Sequence, residues 1–134
     1  MISENEIDQI IENLIKHQHI EMKIDGEIVV FRFSEGFKKI EISSSVFNGD
    51  NYIPKSIRRG INAPSVFPYS FIKTYFTVDE RKFQVILNFT RILDNGFSDF
   101  ESWLKEFLWL AKEWRHIIED HGREDLLFVY VNKK

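Results

Sequence analysis

Apolar residues recur at the spacing of a helix near the start of the chain. Between Ile7 and Leu14 they fall every three or four positions and form one apolar stripe. In front of them, Ser3 and Glu6 have the spacing of a capping box, in which each side chain bonds the backbone amide of the other residue. The pattern predicts a first helix that ends at about His17.

Two pairs of segments with alternating apolar residues follow. Residues 27–33 and 37–43 flank a short loop that contains Gly36, and residues 71–78 and 83–92 flank a charged turn. Segments of this length, rich in Val, Ile and Phe and separated by a turn, are typical of β-hairpins. We therefore predict four strands in two antiparallel hairpins.

The first of these segments is apolar on both of its faces. Val29, Phe31 and Phe33 point to one side of the predicted sheet, while Ile28 and Val30 point to the other. A strand with two apolar faces is usually covered on both. We therefore expect a helix on one face of the sheet and a second covering layer on the other.

Residues 48–70 have no regular pattern. They contain all three prolines of the chain, and Pro54 and Gly60 leave room for at most a short helix between them. Loops of this length without structure are uncommon in compact domains. Either the segment has a function or it contains an element that its sequence does not reveal.

A second, longer helix is predicted near the end of the chain. Apolar residues recur at helical spacing from Phe100 onward, behind a capping box formed by Ser98 and Glu101, and Gly122 is expected to follow the last helical turn. Residues 126–131 are β-branched, aromatic or aliphatic and predict a last strand.

These elements predict one α+β domain that spans residues 1–134. Its order is helix, two strands, loop, two strands, helix and strand. We expect the N-terminal helix and the long C-terminal helix to pack on a mainly antiparallel sheet.

One residue of the long helix does not fit its pattern. Trp109 lies about 180° round the helix from Phe100, which marks the apolar stripe, and its neighbours one turn away are lysines and glutamates. An indole on such a face is covered by the chain's own segments, the 48–70 loop or the last strand, or by another polypeptide, or it is exposed without a role. We predict a partner-binding surface that comprises Trp109, Phe67 and Tyr69.

Composition narrows the classes of function. Aromatic residues make up 15% of the chain and 13 of them are Phe, which suits a core or an apolar contact surface better than a polar catalytic pocket. The net charge is −3 with interspersed signs, so no basic stripe suggests nucleic-acid binding. No apolar run approaches the ~18 residues of a membrane span. We expect a soluble cytoplasmic protein that binds neither nucleic acid nor membrane.

Reactive groups are not arranged for catalysis in the sequence. Cysteine is absent, which excludes disulfides and thiolate chemistry. His17 and His19 lie at a helix end, and His116 and His121 are too far apart round a helix to share a face. Residues 43–45, all serine, lack the strand–turn–helix setting of a nucleophile. We expect no catalytic residue, no metal and no cofactor.

The order of elements resembles that of a known family. The stretches "IVVFRFSEGFKKIEIS" and "FTVDERKFQVILNFTRILDNGFSDFESWLKEFLWLAKEWRHIIEDHG" are similar in outline to the class I type III secretion chaperones and to the sensory-regulator families that share their fold. Two features differ from that pattern. The family usually has a full helix after the first hairpin, and it usually lacks a strand after the last helix.

The resemblance implies a cytoplasmic homodimer without enzymatic activity. Such a dimer keeps the N-terminal segment of a secreted protein unfolded, wrapped round apolar grooves and exposed strand edges. Two other functions remain open from the residues alone. One is a stoichiometric inhibitor, such as an immunity protein that blocks a toxin, and the other is a small ligand-binding domain.

Overall fold

Three helices and five strands form the described chain in the computed structural model, which describes residues 2–34, 36, 38–62 and 67–132, with side chains up to residue 120. Within that part of the chain the elements are α1 (Glu4–His17), β1 (His19–Ile24), β2 (Glu27–Ser34), β3 (Lys39–Asn48), α2 (Lys55–Asn62), β4 (Thr74–Asp79), β5 (Gln84–Ile92) and α3 (Phe100–Asn132). The predicted α+β class, first helix and two hairpins are confirmed. Phe37, the predicted start of the second strand, lies outside the described residues.

The strands form one antiparallel sheet in the order β1-β2-β3-β5-β4. The sequence analysis missed β1. Gln18 ends α1 in the left-handed region, and its amide bonds the Leu14 carbonyl oxygen at 2.8 Å, so the chain turns directly into β1. Asp25 and Gly26, both with positive φ, then form the tight turn into β2. An Asp-Gly pair between alternating apolar residues is a strong hairpin signal, and it was available in the sequence.

The predicted last strand is wrong. Residues 126–131 continue α3, which runs from Phe100 to Asn132 without ending at Gly122. β-branched residues only weakly oppose a helix, and extending an existing helix adds a hydrogen bond without a new nucleation step. The sequence analysis also considered that this last segment covers Trp109. That prediction concerns side chains beyond residue 120, which lie outside the described ones.

The core lies on one face of the sheet, which we call the inner face. Helices α1 and α3 cover it, as the apolar spacing of both helices predicts. Its fully buried strand residues are Val29, Phe31, Ile40, Ile42, Val85, Leu87 and Phe89. On α3 the fully buried residues are Phe100, Leu104, Phe107, Leu110 and Ala111. Each large side chain contributes about 1.5–3 kcal/mol through burial.

The opposite, outer face of the sheet is open in the described chain. Ile28 is 56% exposed, and it lines this face with Val30 and many polar side chains. The prediction that a second layer covers this face is therefore wrong for the described part of one chain. The irregular 48–70 segment instead contains α2, which packs beside α3.

Candidate partner-binding surface

Helix α3 places Trp109 on its outward side. The large apolar residues of the helix face the sheet and are buried, among them Trp103, Phe107 and Trp114. Trp109 lies on the other side of the helix, as the spacing predicts, and is 47% exposed. A half-exposed indole on a well-packed helix is a rigid apolar feature that is open to contact.

Phe67 covers one edge of the Trp109 ring. The two rings meet edge to face with centroids 5.3 Å apart, and Phe67 makes a similar contact with Trp114 at 5.5 Å. Phe76 also packs edge to face against Trp114, with ring centroids 4.9 Å apart. Phe67 therefore links the exposed indole to the core. The segment after α2 therefore covers Trp109 in part. This agrees with the predicted alternative in which the 48–70 loop folds over the indole.

Tyr69 lies next to these rings and is 98% exposed. The segment is fixed to α3 at this point, because the Ser70 hydroxyl donates to Glu106 Oε2 at 2.9 Å and lies 3.4 Å from the Ile72 amide nitrogen. The groove that results has a volume of about 470 Å³. Its lining residues are Phe67, Pro68, Tyr69, Ser70, Glu106 and Trp109. The three residues of the predicted surface thus line one groove, which we call the aromatic groove.

A second depression lies on the other side of Trp109, and the sequence analysis did not predict it. It has a volume of about 330 Å³ and lies between α3 and the β1–β2 turn. Its apolar residues are Ile2, Leu108 and Trp109, and its charged residues are Asp25, Glu27, Lys105 and Lys112. Trp109 is therefore accessible from two sides. Only the tertiary fold brings the N-terminal Ile2 to this position.

A buried ion pair fixes the β1–β2 turn to α3 near this depression. Glu27 is buried, and its carboxylate contacts the guanidinium of Arg115. The same guanidinium donates to the Ser45 carbonyl oxygen at 2.7 Å. A carboxylate removed from water needs such a partner, because an unpaired buried charge is strongly destabilising. Arg115 thus ties β2 and β3 to the helix that carries Trp109.

Comparison with known proteins identifies the fold. No protein-family model matches the chain, and no curated protein matches it. A chain in the crystal structure of the ExsC–ExsE complex is similar with a TM-score of 0.63 and 15% identity, over 88% of this chain and 97% of that one. A chain in the structure of the HopA1–SchA chaperone–effector complex is similar with a TM-score of 0.57 and 13% identity, over 75% of this chain and 77% of that one. The chain has a class I type III secretion chaperone-like fold.

The two departures from the chaperone-like pattern disappear in the structure. A helix, α2, does follow the first three strands, and the last segment extends α3 where a strand was expected. In the described residues the order is therefore helix, three strands, helix, two strands and helix. Of the helices described, none combines the length and the apolar character that crossing a bilayer demands.

An exposed ion pair joins α2 to the β4–β5 turn. The guanidinium of Arg58 on α2 hydrogen-bonds both carboxylate oxygens of Glu80, at 2.8 and 2.9 Å. This hydrogen bonding lowers the pKa of Glu80 and raises the pKa of Arg58. Among the described side chains, which exclude His121, no three His, Asp or Glu converge as metal ligands.

Proposed function

We propose that the chain is a non-enzymatic protein-binding module that holds the N-terminal segment of a client protein, as a secretion chaperone does. The likeness to a chain in the ExsC–ExsE complex extends over 97% of that chain, and the HopA1–SchA structure is a chaperone–effector complex. A fold found in complexes of this kind favours a protein partner here as well. The expected place of action is the cytoplasm, before a client is exported.

The observation that carries the proposal is the exposed aromatic groove on this fold. Trp109 and Tyr69 are large, exposed and attached to fixed backbone, and Phe67 anchors the indole to the core. Tryptophan and tyrosine are enriched where a few residues carry most of the binding energy of an interface. The groove supplies apolar contact area and a hydrogen-bonding rim, which suits a peptide segment. Glu106 and Ser70 form that rim.

We further propose that two copies of the chain form a dimer through the free edge of β4. The two edge strands differ in charge. On β1, Glu21 and Lys23 are charged, and charged side chains oppose pairing with another strand. On β4, no charged residue precedes Asp79, and Tyr75 is exposed. An uncharged edge of this kind is suited to pairing with a second strand.

The test is capture of the partner and mapping of the bound segment. The tagged chain is purified from its native cells, and the complex is digested with a nonspecific protease. We expect one partner, whose N-terminal segment resists digestion only while bound, and a mass by light scattering that includes two copies of the 16.0-kDa chain. Capture of a folded enzyme whose activity is abolished would instead identify an inhibitor.

A further inference from the structure

The aromatic groove has one charged group among its described lining residues, the carboxylate of Glu106. The segment that forms the opposite wall adds no charge, since no charged residue occurs between positions 61 and 72 of the sequence. The groove is otherwise lined by the rings of Phe67, Tyr69 and Trp109 and by two small uncharged residues. An occupant therefore meets aromatic rings and a single negative charge.

Only one oxygen of the Glu106 carboxylate is used within the described chain. Its Oε2 accepts from the Ser70 hydroxyl at 2.9 Å, which fixes the carboxylate at the edge of the groove. Among the described side chains, Oε1 has no hydrogen-bond partner, and no Lys or Arg forms an ion pair with Glu106. Lys105, its neighbour in the sequence, is bonded to Glu101 instead, at 2.9 Å. Oε1 is thus available to a positively charged group that enters the groove.

Trp109 separates two depressions that differ in charge. The depression on the Ile2 side is lined by two lysines, Lys105 and Lys112, as well as by two acidic residues. In the aromatic groove the described lining residues include Glu106 and no Lys or Arg. A cation in the aromatic groove therefore gains the attraction of a carboxylate and meets no like charge there.

The rings of the groove suit a flat cation. Phe67 and Trp109 stand at 74° to each other, so they form two adjoining walls. Tyr69 makes almost no contact in the free chain, being 98% exposed, so its ring is free to pack on a bound group. Among aromatic rings, indole attracts a cation most strongly. The chain itself contains one such contact, since the Arg91 guanidinium lies 5.4 Å from the centre of the Trp103 ring.

A purely apolar occupant fits this groove less well. It would shield the Glu106 carboxylate from water without giving it a partner, and a charge that loses water unpaired is destabilising. Arginine meets both requirements, because its planar face stacks on aromatic rings while its N–H groups donate to a carboxylate. Lysine has a compact, strongly hydrated charge that does not stack in this way.

We infer that the aromatic groove binds an arginine of the client segment, with the guanidinium against the Trp109 indole and a hydrogen bond donated to Glu106 Oε1. The inference rests on the proposed function and specifies the residue type that the groove recognises. Tyr69 packs on the side of the arginine that faces away from the indole. Selection of a client thus depends on one charged residue within a mainly aromatic contact.

The test selects short random peptides, displayed on phage, against the wild-type protein and retains those that bind more weakly to Trp109→Ala. Each retained peptide is synthesised with arginine and with citrulline, which has nearly the same shape and no charge. We expect the retained peptides to share an arginine, and citrulline in its place to weaken binding about tenfold or more. Equal binding of the two forms would overturn the inference and leave the client-holding function intact.

Glu106→Gln tests the carboxylate itself, because the amide has a similar size and its oxygen can still accept from the Ser70 hydroxyl. In this variant the difference between the arginine and citrulline forms is expected to shrink to about threefold or less. The matched control is Glu119→Gln, which removes one charge from an exposed position of the same helix outside the groove. The control is expected to retain the full difference. A difference that persists in Glu106→Gln, or falls equally in both variants, would overturn the inference.

Two results of the selection would also overturn the inference. One is a set of retained peptides without a shared arginine, and the other is a selection in which no peptide depends on Trp109. The client-holding function is decided separately, by whether the N-terminal segment of the captured partner resists protease only while bound.

Discussion

The two faces of the sheet are built from alternate residues of the same strands, yet the helices cover the inner face and the outer face is open in the described chain. Val29 is fully buried under the helices, whereas its neighbour Val30 lies in an open trough. Most inner-face residues of β2, β3 and β5 are apolar, apart from the buried Glu27 and Ser44, and the outer face places Ser43 and Asn88 at its centre. The comparison teaches that this chain completes its core with one face only. The other face keeps apolar residues that the described chain does not cover.

The largest predicted effect concerns Arg115, which reaches from α3 on the inner side to the backbone of Ser45, a residue that lines the outer trough. Arg115→Ala leaves the buried carboxylate of Glu27 without its partner. We expect a loss of about 3 kcal/mol in the free energy of unfolding, at the low end for buried pairs because the Arg115 side chain is 33% exposed. Urea denaturation measures this loss.

The control for Arg115→Ala is a double variant, Arg115→Met with Glu27→Gln. It removes both charges and retains most of the side-chain volume, so it is expected to be more stable than the single variant. A single variant as stable as the wild type would contradict the assignment of the ion pair as a link between the layers.

Val29 and Val30 offer a matched comparison of the two faces. Val29→Ala removes two buried methyl groups from the inner face, and we expect a loss of about 2 kcal/mol in the free energy of unfolding. Val30→Ala is expected to lose about 0.5 kcal/mol or less, because that side chain is only partly buried. Thermal and urea denaturation of the pair check this difference. Equal losses would mean that both faces are covered in solution.

How far the sequence predicts this fold can be followed along β2. Its alternation predicts a strand with Val29 and Phe31 in the core, which the structure confirms. The same alternation cannot say whether Ile28 and Val30 are covered by the chain itself or by a partner, because both give the same local pattern. The prediction of a strand at residues 126–131 was wrong for a related reason. Their β propensity is local, whereas the helix that precedes them determines their conformation.

The candidate surface was predictable only in part. Trp109 stands out because the charged residues around it reveal its side of the helix. Phe67 meets Trp109 through a long-range contact that no spacing rule gives. Neither the depression lined by Ile2 nor the pairing of Ser43 with Asn88 on the outer face leaves a signal in a single segment. Both depend on strand register and on the path of the chain between elements.

Trp109 provides a third prediction, this time on binding. Trp109→Ala is expected to weaken binding of the captured partner by about 2 kcal/mol, or roughly thirtyfold, as for a central interface residue. Stability is expected to fall by about 1 kcal/mol or less, because half of the indole is already in contact with water. Calorimetric titration measures the affinity. Tyr52→Ala is the control, since Tyr52 is an exposed aromatic residue that lies outside both grooves beside Trp109.

The smallest predicted effect is that of Glu80→Gln on the stability of the fold. The hydrogen bond from Arg58 lowers the pKa of Glu80 in the folded protein. A carboxylate with a lowered pKa stabilises the fold at pH values above its unfolded pKa, and this contribution is lost as the pH falls through the folded pKa. Glu80→Gln is therefore expected to be slightly less stable at neutral pH and to match the wild type in strong acid. Melting temperatures across the acid range check the convergence, and a constant offset would contradict it.

The most direct test of partner binding at the aromatic groove follows Trp109 itself. Of the three tryptophans, Trp103 and Trp114 are buried, so Trp109 is the one open to solvent. The chain is labelled with 5-fluorotryptophan, the Trp109 fluorine signal is assigned with Trp109→Phe, and its response to a soluble paramagnetic agent is measured with and without the captured partner. The account predicts that the partner shields Trp109 and leaves the two buried signals unchanged. A complex in which Trp109 stays as accessible as in the free chain would contradict it.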